Sequence, residues 1–189
     1  MKNFLFTVLL SVFCASYIFA ADNESFLKAV QAGDYKTVSA LLKNGADVNA
    51  KNGYGESALV LALKGNYDKT AALLIKRGAD INIKDSNGNT LLMLAAQNGL
   101  KKSAKLMIKK GADVNAAGFE GITPLMMASR HGYGDIVHMF IKKGAAVNSV
   151  GKYCKTALDF AQLGKDEKSI KILKSAKAVN GKDLQQCQK

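Results

Sequence analysis

The chain holds only two histidines, His131 and His138, three cysteines and one proline in 189 residues. Little chemistry can be built from that stock. Nucleophilic or acid–base catalysis needs a base beside a nucleophile or a pair of carboxylates, and a metal centre needs ligands at matching spacing. Neither histidine has such a pattern around it. They are expected to be a loop residue and a surface or packing residue, with no enzyme activity, metal or cofactor. Long apolar runs are also missing past residue 21, where nothing approaches the roughly 20 residues of a membrane-spanning helix. No motif for reading nucleic-acid bases is present, so nucleic acid is not an expected partner.

The one apolar run comes first. Met1 and Lys2 precede a hydrophobic stretch from Phe4 to Phe19, closed by Ala20 and Ala21 and followed by Asp22, Asn23 and Glu24. A cationic start, a short apolar centre and small residues at the end form the pattern of a secretory signal peptide. Residues 1–20 are expected to be removed after Ala20, with an uncleaved anchor as the alternative. Cys14 lacks the preceding leucine and small-residue pattern that lipidation requires. The mature product is expected to be soluble, in the periplasm or secreted.

Charge is unbalanced toward the basic side. The chain has 27 Lys plus Arg against 15 Asp plus Glu, a formal charge of +12. Residues 1–20 contribute one Lys and no acid, so cleavage leaves +11. Such a balance favours anionic partners, or serves solubility alone.

The rest is organised by one recurring stretch. Gly45-Ala46-Asp47-Val48-Asn49 returns as Gly78-Ala79-Asp80-Ile81-Asn82, as Gly111-Ala112-Asp113-Val114-Asn115, and as Gly144-Ala145-Ala146-Val147-Asn148, at 33-residue spacing. A fixed period of that length predicts a stacked array of short helical units. Five units follow, at about 24–50, 51–83, 84–116, 117–149 and 150–176, in a domain spanning 21–176 with a polar tail at 177–189. Each full unit reads as a turn and two helices of two to three turns. Helices that short are marginal alone and must be stabilised by burial against neighbouring units.

Several positions recur together: Gly55, Gly88 and Gly121 in the turn; Ser57, Thr90, Thr123 and Thr156 at the first helix start; Ala62, Ala95, Ala128 and Ala161 at the closest packing point. With the recurring loop, they make the chain resemble ankyrin repeats over roughly residues 24–174. The expected fold is therefore an all-α repeat solenoid of stacked helix-turn-helix units with short β-turn fingers. Departures from the family pattern are specific. Only the fourth unit keeps the Pro, Pro124, and the family His is replaced by Val60, Met93, Met126 and Asp159. Cys154 replaces the turn Gly of the fifth unit. Ala146 replaces the loop Asp, which suggests a looser junction between the fourth and fifth units. Met93, Met107, Met126, Met127 and Met139 are expected to fill the core or a compliant surface rather than bind a soft metal.

The resemblance implies binding through the finger tips and exposed side of the first helices. The residues placed there are Tyr54, Glu56, Asn87, Asn89, Phe119, Glu120, Ile122, Arg130, Lys152 and Tyr153. Aromatic side chains at turn tips have no packing duty there and suit partner binding. Phe119, Ile122 and Tyr153 are expected to share one patch. The family arrangement also returns the C-terminal segment to the Cys154 turn, so Cys154 and Cys187 are expected to pair, with free thiols or intermolecular bonding as alternatives. A second face is basic: Lys76, Arg77, Lys109, Lys110, Lys142 and Lys143 recur where second helices end. There they complement helix dipoles, or attach the molecule to an anionic lipid or polymer surface of the envelope. The leading expectation is a monomeric, non-catalytic scaffold for another protein.

Overall fold

A computed structural model describes residues 23–85 and 88–187. The expected signal peptide and its cleavage point, and Asn87, lie outside the described residues. Among the described residues ten α-helices follow one another: α1 (23–31), α2 (Tyr35–Lys43), α3 (Ala58–Lys64), α4 (Asp68–Lys76), α5 (Leu91–Gln97), α6 (Lys101–Lys109), α7 (Pro124–Arg130), α8 (Gly134–Lys142), α9 (Ala157–Leu163) and α10 (Glu167–Ser175). Among the described residues the extended pairings are isolated bridges, Lys51 with Ser57 and Lys84 with Thr90, at the base of two fingers.

Local chemistry sets the helix starts. Ser57, Thr90 and Thr123 each accept the N–H three residues on, from Val60, Met93 and Met126, and so cap α3, α5 and α7. Thr156 does the same for α9, where Asp159 reciprocates in a capping box. Pro124 occupies the first turn of α7, where its missing N–H costs little. The second helices are served differently. Asp34 caps α2 and Asp166 caps α10, whereas α4, α6 and α8 begin at Tyr67, Leu100 and Tyr133 without a side-chain cap of their own. For α6 the cap crosses the unit boundary. The Asp68 carboxylate accepts the N–H groups of Lys102 and Ser103 at 3.1 and 2.8 Å.

Packing builds two helical layers. Helices α3, α5, α7 and α9 contact one another in order along the inner layer, and α2, α4, α6, α8 and α10 do so along the outer one. The 33-residue period becomes columns of buried side chains. Leu59, Leu92, Leu125 and Leu158 form one, and Leu74, Met107, Phe140 and Leu173 another, all almost without solvent contact. Ala62, Ala95, Ala128 and Ala161 are fully buried, the small side chains that let neighbouring helices approach. Met93, Met107 and Met126 are buried, the last two in the core cluster, while Met127 and Met139 pack at its margin. At the first unit, Phe26, Leu27, Ala29, Val30 and Val38 are buried.

Loops are specified by backbone conformation and by close approach. Gly99 has φ +72, and a Cβ there would stand 2.5 Å from the Tyr133 ring, so both constraints select glycine. Asparagines then tie the units together: the Asn49, Asn115 and Asn148 Oδ1 atoms accept from the N–H groups of Asp80, Ala146 and Val179 at 2.9, 2.8 and 3.0 Å. This qualifies the expectation attached to Ala146. Its missing carboxylate removes a bond of the kind Asp113 makes to Asn115 N–H, within one loop. The bond between units uses the Ala146 backbone and is retained.

The segment expected as a polar tail is held on the fifth unit. Lys177 takes a left-handed conformation, φ +61, one period after Gly144 at φ +87, so the loop turns in the same way. Asn148 Nδ2 donates to Lys177 O, the Gly181 N–H donates to Asp159, and short 3-10 turns at Gly181–Asp183 and Gln185–Cys187 carry the chain to Cys187.

Candidate functional site

The fingers project from the starts of the inner helices, and each tip is shaped by left-handed residues. In the second unit Gly55 has φ +77; in the fourth Glu120 and Gly121 have +60 and +73; in the fifth Tyr153 and Cys154 have +58 and +55. These turns present their aromatic residues to solvent. Tyr54 is 91% exposed, Phe119 63% and Tyr153 78%.

The polar residues expected at the tips are mostly engaged in building the fingers. Glu56 accepts from Lys64 Nζ at 2.5 Å and Asn52 Nδ2 at 3.0 Å. Those bonds, the lysine's first, hold its carboxyl below the usual range. Asn89 donates from its backbone and side chain to Asp85 at 2.8 and 3.0 Å, and its Oδ1 packs over Gly118. Glu120 and Lys152 form an ion pair that joins the fourth and fifth fingers, and Lys152 Nζ lies 5.1 Å from the Tyr153 ring centre. Ile122 is half buried, its Cδ1 resting above Gly151. It packs between the fourth and fifth fingers and lines one groove together with Tyr153.

Two grooves lie between the fingers and inner helices. One, of about 310 Å³, is bounded by Tyr54, Glu56 and Lys64 with Val60, Leu91 and Leu94 at its base. The other, of about 560 Å³, is bounded by Arg130, Lys152, Tyr153 and Lys155 with Phe160 and Leu163 beneath. Leu163, 65% exposed, is a residue that sequence reasoning passed over. The period held a signal for it: Lys64, Gln97 and Arg130 occupy the same column, and a leucine after three polar residues marks an apolar contact point. Arg130 and Lys155 form no ion pair among the described residues, although the Lys155 charge acts on Asp159, so the second groove sets cations and the Glu120–Lys152 pair beside apolar and aromatic surface.

On the other layer, Lys76, Arg77, Lys109, Lys110, Lys142 and Lys143 are all exposed at the ends of α4, α6 and α8, where the helix dipole favours positive charge. None forms an ion pair among the described residues. His131 ends α7, with its imidazole pKa lowered by partial burial and then by the Arg130 charge. His138 is exposed on α8. The described residues contain no group of three His, Cys, Asp or Glu arranged to hold a metal ion.

The Cys154 and Cys187 sulfurs are bonded, with Cα atoms 5.7 Å apart. The same turn is held from inside by Asp159. Its Oδ2 accepts from the Thr156 N–H at 2.8 Å, the Thr156 hydroxyl at 2.9 Å and the Gly181 N–H at 2.8 Å. Burial pushes this carboxyl upward, but the three donors outweigh it and its pKa is lowered.

The repeat columns, finger geometry and capping agree with the family comparison. Models described as ankyrin repeats match residues 26–118, with three copies, and residues 107–161, with many copies. The chain belongs to the ankyrin-repeat family. No match was found among curated proteins. Ankyrin repeats are protein–protein interaction scaffolds and generally non-catalytic modules. In this ankyrin protein the position of the family His in the fifth unit is held by Asp159, which turns a capping position into the anchor for the C-terminal segment.

Proposed function

We propose that this ankyrin array is an exported, monomeric scaffold that holds another protein against its fingers and inner helices, without cofactor or reaction. The observation that carries the reading is the exposure of Tyr54, Phe119 and Tyr153 at the tips, beside grooves with apolar bases. Aromatic side chains bring large contact area with few rotatable bonds to order, which suits them as binding anchors. Arg130 and Lys155 make an acidic or carbonyl-rich patch the preferred complement near the fifth unit.

Export is supported by the signal-peptide pattern at residues 1–20 and by the Cys154–Cys187 pair, since disulfides persist in oxidising compartments. The periplasm or the exterior is the proposed location. The test is affinity capture from an envelope extract with the protein and a Tyr54→Ser, Phe119→Ser, Tyr153→Ser variant, washed at low and high salt. A protein retained through high salt by the wild type and lost by the variant supports the reading. Identical retention by both forms would remove the fingers from the account.

A further inference from the structure

Charge on the outer layer is sorted along the helix axes. At the helix starts lysines stand beside acids: the Lys36 charge acts on Asp34, and Lys101 and Lys168 pair with Asp135 at 3.7 and 2.7 Å. At the helix ends the cations stand alone. Lys43, Lys76, Lys109, Lys142 and Lys174 occupy the last turns of α2, α4, α6, α8 and α10, and Arg77, Lys110 and Lys143 follow directly on three of them. All eight are exposed, and none forms an ion pair among the described residues. The loop acids that come next, Asp47, Asp80 and Asp113, each accept the N–H two residues on, and the fourth unit has Ala146 in that place. Because the outer helices pack in order, the eight cations form one band across the array.

The helix dipole favours a cation at each of these ends, but one helix at a time. Packed helices lie about 8–10 Å apart, within the screening length of about 10 Å at 0.1 M salt. Cations of one helix therefore repel those of the next. One cation per end would serve the dipole, and the second at α4, α6 and α8 adds repulsion in the middle of the band. Solubility needs net charge, which any part of the surface supplies, and not its collection on one edge.

We infer that this band binds a linear polyanion, a flexible chain with a phosphate or carboxylate on each repeating unit, laid across the outer helices in the stacking direction. Five helix ends at that spacing span about 35 Å. Charge alone carries such binding, through release of the polymer's counterions. A protein partner needs an apolar or aromatic anchor at the centre of the contact, and an interfacial bilayer contact needs apolar side chains to bury. The large exposed apolar residues among the described ones lie elsewhere: Tyr35 and Tyr133 at helix starts, Tyr54, Phe119 and Tyr153 on fingers, and Leu163 on the inner layer. Nucleic-acid bases would lack a stacking platform for the same reason. Seven of the eight cations are lysines, compact charges without the planar fork that selects one anion's shape, so charge density is what the band recognises.

The probes are fluorescein-labelled long-chain polyphosphate and polygalacturonate, followed by anisotropy as salt is raised. A Lys76→Gln, Lys109→Gln, Lys142→Gln variant takes one charge from each of three helix ends. The control, Lys36→Gln, Lys69→Gln, Lys102→Gln, takes the same charge from helix starts in the same layer, and all six positions are exposed. Both polymers should bind with an affinity that falls steeply with salt, at least about tenfold weaker for the helix-end variant and within about twofold of wild type for the control and for the Tyr54→Ser, Phe119→Ser, Tyr153→Ser variant. Equal loss in the two lysine variants, a response to net charge alone, overturns the inference, as does no binding of either polymer. Tighter binding of phosphatidylglycerol vesicles or of oligothymidylate than of the polymers overturns it too. The finger variant separates this band from the scaffold face, so either can fail alone.

Discussion

Replacing Asp159 tests how the last unit is closed. Asp159→Ala leaves the Thr156 and Gly181 N–H groups without the oxygen they now meet at 2.8 Å. Hydrogen bonds to a charged acceptor contribute about 1.5–3 kcal/mol each, and partial exposure places these at the low end, so about 2–3 kcal/mol should be lost. With a urea slope of about 2–3 kcal/mol per molar, the unfolding midpoint should fall by about 1 M. Asp159→Asn keeps an acceptor but loses the charge, and about 1 kcal/mol is expected. The pH dependence adds a second readout. The folded carboxyl lies below its unfolded value of about 3.9, so its contribution is complete above that value and disappears as pH falls through the folded one. Glu24, Asp34, Glu56 and Asp135 are also lowered and make the wild type lose stability in acid, so the difference between wild type and Asp159→Asn is the quantity to follow. That gap should stay constant above about pH 4 and narrow steadily as pH falls below it. An alanine variant as stable as wild type, or a gap that does not narrow below about pH 4, would refute the role assigned to Asp159.

Further tests reach other parts of the array. A Cys154→Ser, Cys187→Ser variant should lose about 3–4 kcal/mol on the chain-entropy relation for a 33-residue separation, measured by urea unfolding beside the oxidised protein; a loss below 1 kcal/mol would show that the hydrogen bonds alone hold the segment. Gly99→Ala combines a positive φ with a 2.5 Å approach to Tyr133 and should lower stability by about 1–3 kcal/mol in the same assay. Asp68→Ala should uncap α6 at a cost of about 1–2 kcal/mol, read locally as faster amide exchange at Lys102 and Ser103, and unchanged exchange there would dismiss the cap across units.

The architecture was legible because it is written in columns. Leu59 to Leu158, Leu74 to Leu173 and the four buried alanines each repeat at 33 residues, and the hydroxyl starts at Ser57, Thr90, Thr123 and Thr156 cap the helices they precede. What escaped the sequence reading depends on contacts between units. Asp68 looks like an acid in the first turn of its own helix, yet its carboxylate serves the next one. Ile122 sits at a tip by position, but Gly151 opposite leaves room that draws it inward. The 177–187 segment reads as a polar tail because Lys177 occupies the left-handed site that Gly fills elsewhere, which hides the turn. Phe119 and Tyr153 were legible as exposed for the opposite reason: a tip built on left-handed residues has no neighbour to cover its side chains.

The central claim is that the protein works through its fingers and inner helices. Its most direct test is site-specific photo-crosslinking in the producing cell, with a photoreactive phenylalanine at position 54, 119 or 153 and, as a reference, at exposed Lys171 on α10. The account expects one common protein adduct from the three finger positions and none from position 171. Adducts of the same abundance and identity from all four positions, or none from the fingers, would contradict it.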